Sequence, residues 1–167
     1  MTVYKTCTEI EQMYLPQNVL EQDYDKLMEL NVKAVFRCCQ QEGAYMISNG
    51  IEGRIINIAS ISSLIANTNS VYNSTKAAVL HMTRSLAVEW APHGILVNAI
   101  CPGCTLTPLI ADDPRIVKLI PEMEEAAPLK RLADPAEMIG AAIFLASDAS
   151  TFTTGIGLPV TGGMELW

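Results

Sequence analysis

Residues 54–60 read Arg-Ile-Ile-Asn-Ile-Ala-Ser, and residues 71–76 read Val-Tyr-Asn-Ser-Thr-Lys. The first stretch is a β-branched apolar run that ends in hydroxyl residues, which indicates a buried parallel strand with Ser60 at its carboxyl end. The second stretch opens a helix in which Tyr72 and Lys76 are four residues apart and therefore share a face. The two stretches predict a hydroxyl, a phenol and an ammonium group close to one another.

This combination of side chains suits proton transfer. A free phenol has a pKa of about 10, so a tyrosine is a poor acid–base catalyst at neutral pH. An ammonium group one helical turn away stabilises the phenolate and lowers that pKa. The serine hydroxyl could then hold a substrate oxygen beside the phenol. The pattern favours a site built from Ser60, Tyr72 and Lys76.

A second strand follows this helix in the sequence. Apolar side chains recur with a 3.6-residue period over residues 71–90, and Pro92 and Gly94 mark the end of the helix. Residues 95–100 then form another buried apolar run, which closes in Pro102 and Gly103. Strand, helix and strand imply a parallel sheet, whose ligands bind outside the carboxyl ends of the strands. Ser60 and the Pro102 turn both lie at such ends.

Ser60 followed by Tyr72-x-x-x-Lys76 resembles the active-site signature of the short-chain dehydrogenase/reductase family. A helix predicted from Asp23 carries Asn31 in a segment similar to the family's, and residues 131–163 resemble the end of its shorter-chain branch. One departure is the interval between Ser60 and Tyr72, which is a residue shorter than the family pattern. The resemblance covers residues 23–163.

The resemblance implies a role for each catalytic candidate. Tyr72 would give or take a proton, and Ser60 would hydrogen-bond the substrate oxygen. Lys76 would lower the pKa of the tyrosine and hold the nicotinamide ribose, while Asn31 would support a relay water. An asparagine on an apolar helix face also has a structural interpretation, as a local kink or a cap for its neighbours.

The resemblance also implies a nicotinamide cofactor, NAD or NADP. Tyr72 and Lys76 would contact it, together with Pro102, Gly103 and Thr107 at the end of the second strand. Thr105 is the alternative to Thr107. The residues that would select between the two cofactors are not recognisable in this sequence.

The glycine-rich turn that binds a dinucleotide pyrophosphate is not recognisable either. We therefore predict an α/β fold that is a partial doubly wound, Rossmann-like parallel sheet. Residues 23–167 would be the C-terminal half of a dinucleotide-binding domain that is truncated at its N-terminus. Residues 1–22 are unassigned, and the proline-interrupted residues 104–133 are predicted to form a substrate lid.

Composition limits the partners. The chain has 167 residues, 50% of them hydrophobic, and a net charge of −7, which disfavours binding to nucleic acid or to an anionic membrane. No apolar run is long enough to cross a membrane and no signal pattern is present, so we expect a cytoplasmic protein. Cys101 and Cys104 have metal-like spacing, but no second pair accompanies them and no metal site is predicted.

Two functions remain open at this point. The first is an oxidoreductase that transfers hydride reversibly between the nicotinamide and a carbonyl or secondary alcohol. The second is a non-catalytic remnant of such an enzyme that acts through association. In either case the resemblance implies a homo-oligomer, dimer or tetramer. In the family, the helices that correspond to those carrying Asn31 and Tyr72 are the usual partner-binding faces. A missing phosphate-binding turn weighs against activity, and the intact Asn31, Ser60, Tyr72 and Lys76 set indicates descent from an active enzyme.

Overall fold

The structure, a computed structural model, describes residues 16–166. Most of the unassigned segment 1–22 lies outside the described residues. The helices are α1 (Glu21–Met28), α2 (Ala34–Ser48), α3 (Ser70–Trp90), α4 (Pro108–Ala111), α5 (Pro114–Val117), α6 (Ile120–Ala126) and α7 (Met138–Ala146). The strands are β1 (Arg54–Ile58), β2 (Leu96–Pro102) and β3 (Gly157–Val160). Shorter 3-10 turns connect several of these elements.

The three strands form one parallel sheet in the order β1-β2-β3. β1 and β2 pair in register from Arg54 opposite Leu96 to Ile58 opposite Ile100. Because α3 connects these two strands, the predicted strand–helix–strand unit and the α/β class are confirmed. β3 is aligned with β2 partly by the Asn98 amide, which donates to the Thr153 carbonyl and accepts from the Ile156 N–H.

The helix predicted from Asp23 begins at Glu21 and runs to Ser48, with a π-helical turn at Glu29–Lys33 between α1 and α2. A buried or half-buried stripe follows steps of four residues: Leu27, Asn31, Val35, Cys39 and Gly43. A stripe with steps of four residues drifts around a regular α-helix, because one turn takes only 3.6 residues. The π turn contains more residues per turn and therefore compensates for that drift. A regular period predicts Cys38 as an apolar inner position; Cys38 is half-buried, and its neighbour Cys39 is the more deeply buried residue at 1% exposure.

α2 and α3 pack on one face of the sheet. Two clusters fill this layer: Cys39, Ile55, Leu86, Ala87, Ile95 and Val97 form the first, and Ala59, Val79, Leu80, Ala99 and Cys101 form the second. A polar bridge crosses the layer, because the Cys39 thiol donates to the Asn57 amide oxygen and the Asn57 amide donates to Thr83. The buried bridge fixes α2 and α3 on β1 directly below the carboxyl end of that strand.

The other face of the sheet is only partly covered. α7 packs there, and Leu145 on its inner side is fully buried. Arg54 at the start of β1 forms an ion pair with Asp148 just after α7, at 2.9 Å. At the other end of β1, however, the Ile58 side chain remains 49% exposed. Within the described residues β1 is an edge strand of the sheet.

Residues 104–133 contain the short helices α4, α5 and α6. The segment closes back on itself, since Leu106 N–H donates to Ala133 O and Ala133 N–H donates to Cys104 O. Asp134 then starts the next helical segment and forms a capping box with Glu137. The excursion therefore has fixed ends that lie beside the carboxyl end of β2.

Candidate active site

Ser60 lies two residues beyond β1, at the carboxyl edge of the sheet. Its side chain is buried at 7% exposure, and its hydroxyl oxygen accepts the Ser62 N–H at 3.1 Å. Among the described residues, no acceptor takes the hydroxyl proton of Ser60. The hydroxyl is therefore oriented by the backbone and able to donate to a bound ligand.

The two other serines of this loop are occupied by structural contacts. The Ser62 hydroxyl accepts the Asn67 amide at 3.0 Å, and the Ser63 hydroxyl donates to the Ser60 carbonyl. Ser63 Oγ also lies 3.7 Å from Cys101 Sγ on β2. Of the three hydroxyls, Ser60 lies closest along the chain to the end of β1, and its assignment as the site serine stays a prediction.

Tyr72 and Lys76 lie on the same face of α3, as their spacing predicted. Lys76 Nζ is 5.7 Å from the centroid of the Tyr72 ring. The same ammonium donates to the Ile58 carbonyl at 3.1 Å. Since Ala59 N–H bonds to Ile100 on β2, the preceding Ile58 carbonyl points away from β2, toward the free edge of β1. Lys76 thus connects the phenol-bearing helix to the strand that delivers Ser60.

Lys76 is buried at 3% exposure, far more than most lysines. Burial lowers the pKa of Lys76 to about 8, and the nearby Cys101 acts in the opposite direction. Burial also raises the pKa of the Cys101 thiol, with Ser63 and the Ser60 backbone opposing that shift through hydrogen bonds. The amine therefore remains predominantly charged at neutral pH, beside a neutral thiol.

Asn31 reaches the same helix from the π turn. Its amide donates to Thr75 Oγ1 at 3.1 Å, and Thr75 Oγ1 donates to the Tyr72 carbonyl at 2.7 Å. Asn31 is 5% exposed and Thr75 is fully buried. The buried amide therefore joins the π turn to α3, while the role of Asn31 in a proton relay stays a prediction. The sequence did not single out Thr75 for this contact, because its helical period identified it only as a core position.

The second strand end places Pro102 and Gly103 beside the end of β1. A Cβ on Gly103 would lie 2.8 Å from Thr161 Cα, so the glycine is needed for packing against the residues after β3. The Thr105 hydroxyl donates to the Gly103 carbonyl, whereas the Thr107 hydroxyl caps no backbone N–H of α4. Thr107 is therefore better suited than Thr105 to contact a ligand, although this role stays a prediction.

The polar groups at this edge fit the nicotinamide and ribose end of a dinucleotide. Lys76 presents a cation, and Ser60 and Thr107 present hydroxyls near the carboxyl ends of β1 and β2. The pyrophosphate end has no counterpart, since no glycine-rich turn precedes a helix in the described residues. The residues present thus fit one half of the cofactor.

Comparison with known proteins places this chain in a family. Residues 14–165 match the family model described as enoyl-(acyl carrier protein) reductase. The structure superimposes on a short-chain type dehydrogenase/reductase from Mycobacterium marinum with a TM-score of 0.85 and 34% identity, over 90% of this chain and 59% of that one. The chain belongs to the short-chain dehydrogenase/reductase family and has its Rossmann-type fold.

Two further proteins illustrate the similarity. D-arabinitol 2-dehydrogenase (ribulose-forming) of Scheffersomyces stipitis is 40% identical over 151 residues, which are 86% of this chain and 53% of that protein. Gluconate 5-dehydrogenase from Burkholderia cenocepacia, solved in complex with NADP and tartrate, matches with a TM-score of 0.82 and 35% identity over 90% of this chain and 59% of that chain. The chain spans a little over half the length of these relatives.

No three acidic, histidine or cysteine side chains in residues 16–166 are grouped to hold a metal ion. In the same range, no helix has the length and apolar character needed to cross a bilayer.

Proposed function

We propose that this chain carries the catalytic part of an NAD(P)-dependent oxidoreductase that interconverts a secondary alcohol and a carbonyl compound. The observation that carries the proposal is the position of Lys76. Its ammonium is buried, bonded to the Ile58 carbonyl at 3.1 Å and 5.7 Å from the Tyr72 ring. A buried cation is costly, and one held beside a phenol at the ligand edge of a parallel sheet has a chemical use.

Each of the four catalytic candidates has the role that the family resemblance implies. Tyr72 exchanges a proton with the substrate oxygen at its phenolic oxygen, and Ser60 donates a hydrogen bond to the same oxygen. Lys76 stabilises the phenolate by its positive charge. Asn31, held by Thr75, supports a water that restores the proton.

Pro102, Gly103 and Thr107 would hold the nicotinamide end of the cofactor, together with Tyr72 and Lys76. When bound, the nicotinamide supplies or accepts the hydride. Residues 104–133, which start at this strand end, would cover the substrate and set its identity.

Polyhydroxylated compounds are the substrate class to test first. The names of the two dehydrogenase relatives refer to arabinitol and to gluconate, both of which carry several secondary alcohols. A polyol or a sugar acid, oxidised at a single secondary alcohol, is the corresponding proposal for this chain. Its place of action would be the cytoplasm, where nicotinamide cofactors are abundant.

The association function remains the second candidate, and one observation favours it. Ile139 and Ile143 lie one turn apart on α7 at 55% and 62% exposure, and Phe152 nearby in sequence is fully exposed. Exposed apolar side chains in such number suit an interface between protein chains. A homo-oligomer is compatible with both functions, so self-association alone does not distinguish them.

The test combines binding with turnover. The purified chain, shown to be folded by circular dichroism, is titrated with NADH and with NADPH and followed by their fluorescence. It is then incubated with D-arabinitol or gluconate and the oxidised cofactors. Saturable binding and formation of reduced cofactor, both lost in Lys76→Met, support the oxidoreductase. A folded chain that binds neither cofactor contradicts it and leaves the association function.

A further inference from the structure

The loop between Ser60 and Tyr72 contains an unbroken chain of hydrogen bonds. The Ser62 N–H donates to Ser60 Oγ at 3.1 Å, and the Asn67 amide donates to Ser62 Oγ at 3.0 Å. The Asn69 N–H donates to Asn67 Oδ1 at 3.0 Å, and the Tyr72 N–H donates to Asn69 Oδ1 at 3.3 Å. The chain begins at the hydroxyl of one proposed catalytic residue and ends at the backbone of the other.

Asn67 is the central member of this chain. Its amide nitrogen donates to Ser62, which follows β1, and its amide oxygen accepts from Asn69, which precedes α3. Its backbone carbonyl also accepts the Asn73 amide at 3.1 Å, which adds a second connection to α3. The other members make local contacts within two or three residues, whereas Asn67 spans five residues to Ser62.

The apolar contacts of the loop are concentrated in its first part, where Ile61 is buried at 7% exposure. Leu64 is 38% exposed and Ala66 is exposed as well, so burial holds the middle of the loop only loosely. A loop of small and polar residues has many conformations when its hydrogen bonds are lost. The hydrogen bonds that Asn67 makes therefore hold the exposed middle of the loop and contribute to the separation of Ser60 from Tyr72.

We propose that Asn67 is a positioning residue, which sets the placement of the Ser60 hydroxyl relative to Tyr72. This inference rests on the proposed function, because it assigns Asn67 a role in the same site. Asn67 itself touches neither substrate nor cofactor. It acts through Ser62 on one side and through the Asn69 cap of α3 on the other.

The proposal predicts a defect in turnover without a defect in cofactor binding. Asn67→Ala removes both side-chain connections, and we expect kcat to fall about tenfold, because small displacements of catalytic groups have large kinetic effects. The KM for the cofactor should not change, since Lys76 is held by other elements. Asn67→Asp should retain most of kcat, because the Ser62 hydroxyl can rotate and donate to the carboxylate while Asn69 N–H remains bound.

Asn49→Ala is the matched control. The Asn49 amide also makes exposed hydrogen bonds at a helix end, to the Tyr45 carbonyl and to Ser48. These bonds lie at the C-terminal end of α2 and involve no residue of the loop between Ser60 and Tyr72. We expect its kcat to equal that of the unmodified chain. A double-mutant cycle with Ser62→Ala completes the kinetic test, since Asn67→Ala should cost less when its partner at Ser62 is already absent.

Amide hydrogen exchange separates this proposal from the proposed function. Exchange at the Ser62 and Tyr72 N–H groups should be faster in Asn67→Ala and unchanged in Asn49→Ala, whether or not the chain turns over substrate. Unchanged exchange at both groups would overturn the proposal in an inactive chain. In an active chain, a kcat for Asn67→Ala equal to that of the unmodified chain, or an equal fall in Asn49→Ala, would overturn it while the proposed function stands.

Discussion

Lys76 shows a conflict between stability and function at the scale of a single residue. A lysine at 3% exposure with one carbonyl acceptor has lost most of its hydration. The lowered pKa of about 8 expresses this loss, because burial disfavours the charged form. The charge that the proposed chemistry needs at neutral pH therefore lowers the stability of the fold.

The stability of the chain should depend on pH in a defined window. The pKa of Lys76 is about 8 in the folded chain, against a usual value of 10.5, so the unfolded chain binds more protons between these two values. The contribution of Lys76 to the free energy of unfolding should therefore rise as the pH increases from about 8 to 10.5, by roughly 3 kcal/mol at most. The raised pKa values of the Cys39 and Cys101 thiols act in the opposite direction above about pH 9, so the net rise is expected between about pH 8 and 9. Urea denaturation at a series of pH values measures this rise.

The matched variant is Lys76→Met, which keeps the length of the side chain and removes the charge. We expect its free energy of unfolding at pH 7 to exceed that of the unmodified chain by about 1–2 kcal/mol, since a buried charge is replaced by an apolar group. The rise above pH 8 should disappear. A variant that is less stable at pH 7 would show that the contact with the Ile58 carbonyl outweighs the cost of burial.

Thr75 gives the second residue-scale prediction. Thr75→Val keeps the shape of the side chain but leaves the buried Asn31 amide without its acceptor. The free energy of unfolding should fall by about 1–3 kcal/mol, the usual cost of an unsatisfied buried donor. Ser74→Ala is the control, because the exposed Ser74 hydroxyl makes a similar bond to Ser70 and should contribute less than about 0.5 kcal/mol. Equal losses in thermal denaturation would contradict the importance of the Asn31 contact.

The sequence predicted some of these residues and missed others for a physical reason. Tyr72 and Lys76 could be paired from their spacing alone, because one helix fixes their relation. The acceptors at Ile58 and Thr75 could not be predicted, since they depend on how α3 packs against β1 and against the π turn. Contacts between elements have no signature in the local sequence.

At the scale of elements, the packing of α2 on α3 depends on a glycine. A Cβ at Gly43 would lie 2.5 Å from the Trp90 ring, too close for any side chain. Gly140 offers a contrast inside α7, since nothing lies within 4 Å of a Cβ built there. A side chain is therefore excluded at Gly43 by Trp90, whereas the space around Gly140 admits one.

Alanine at these two positions should have opposite effects. Gly43→Ala should lower the free energy of unfolding by about 1–3 kcal/mol through overpacking against Trp90. Gly140→Ala should raise it by up to about 1 kcal/mol, because alanine favours the helix and meets no obstacle. Thermal melts of both variants measure the difference. A neutral Gly43→Ala would mean that the indole can shift at little cost.

The elements themselves were largely predictable from periodicity. The two strands on either side of α3, the end of that helix near Gly94 and the Asp134 cap all follow from apolar runs and turn residues. The π turn was not predictable, because a regular 3.6-residue period was assumed through Glu29–Lys33. That assumption predicted Cys38 as the inner position, whereas Cys39 is the more deeply buried residue.

At the scale of the whole molecule, the described sheet is small and incompletely covered. Its three strands leave β1 at an edge, and Ile58 at the end of that strand is half exposed. The chain spans a little over half the length of its relatives, in keeping with the small sheet. Apolar surface of this kind promotes association between chains.

Association should depend on the exposed face of α7. Ile143→Glu places a charge on this face, and we expect it to shift sedimentation velocity profiles toward the monomer. Leu20→Glu is the control, since Leu20 is similarly exposed at 53% but lies beside α1. An unmodified chain that sediments as a monomer at all concentrations would contradict the expected homo-oligomer.

The most direct test of the catalytic assignment is the kcat of Tyr72→Phe, measured beside the unmodified chain with the polyol and cofactor that show turnover. The phenylalanine keeps the ring beside Lys76 and removes only the phenolic oxygen. We predict that kcat falls by about 100-fold or more while cofactor affinity and circular dichroism are retained, as for the loss of a general acid–base group. A kcat close to that of the unmodified chain would show that another group transfers the proton and that the assignment of Tyr72 is wrong.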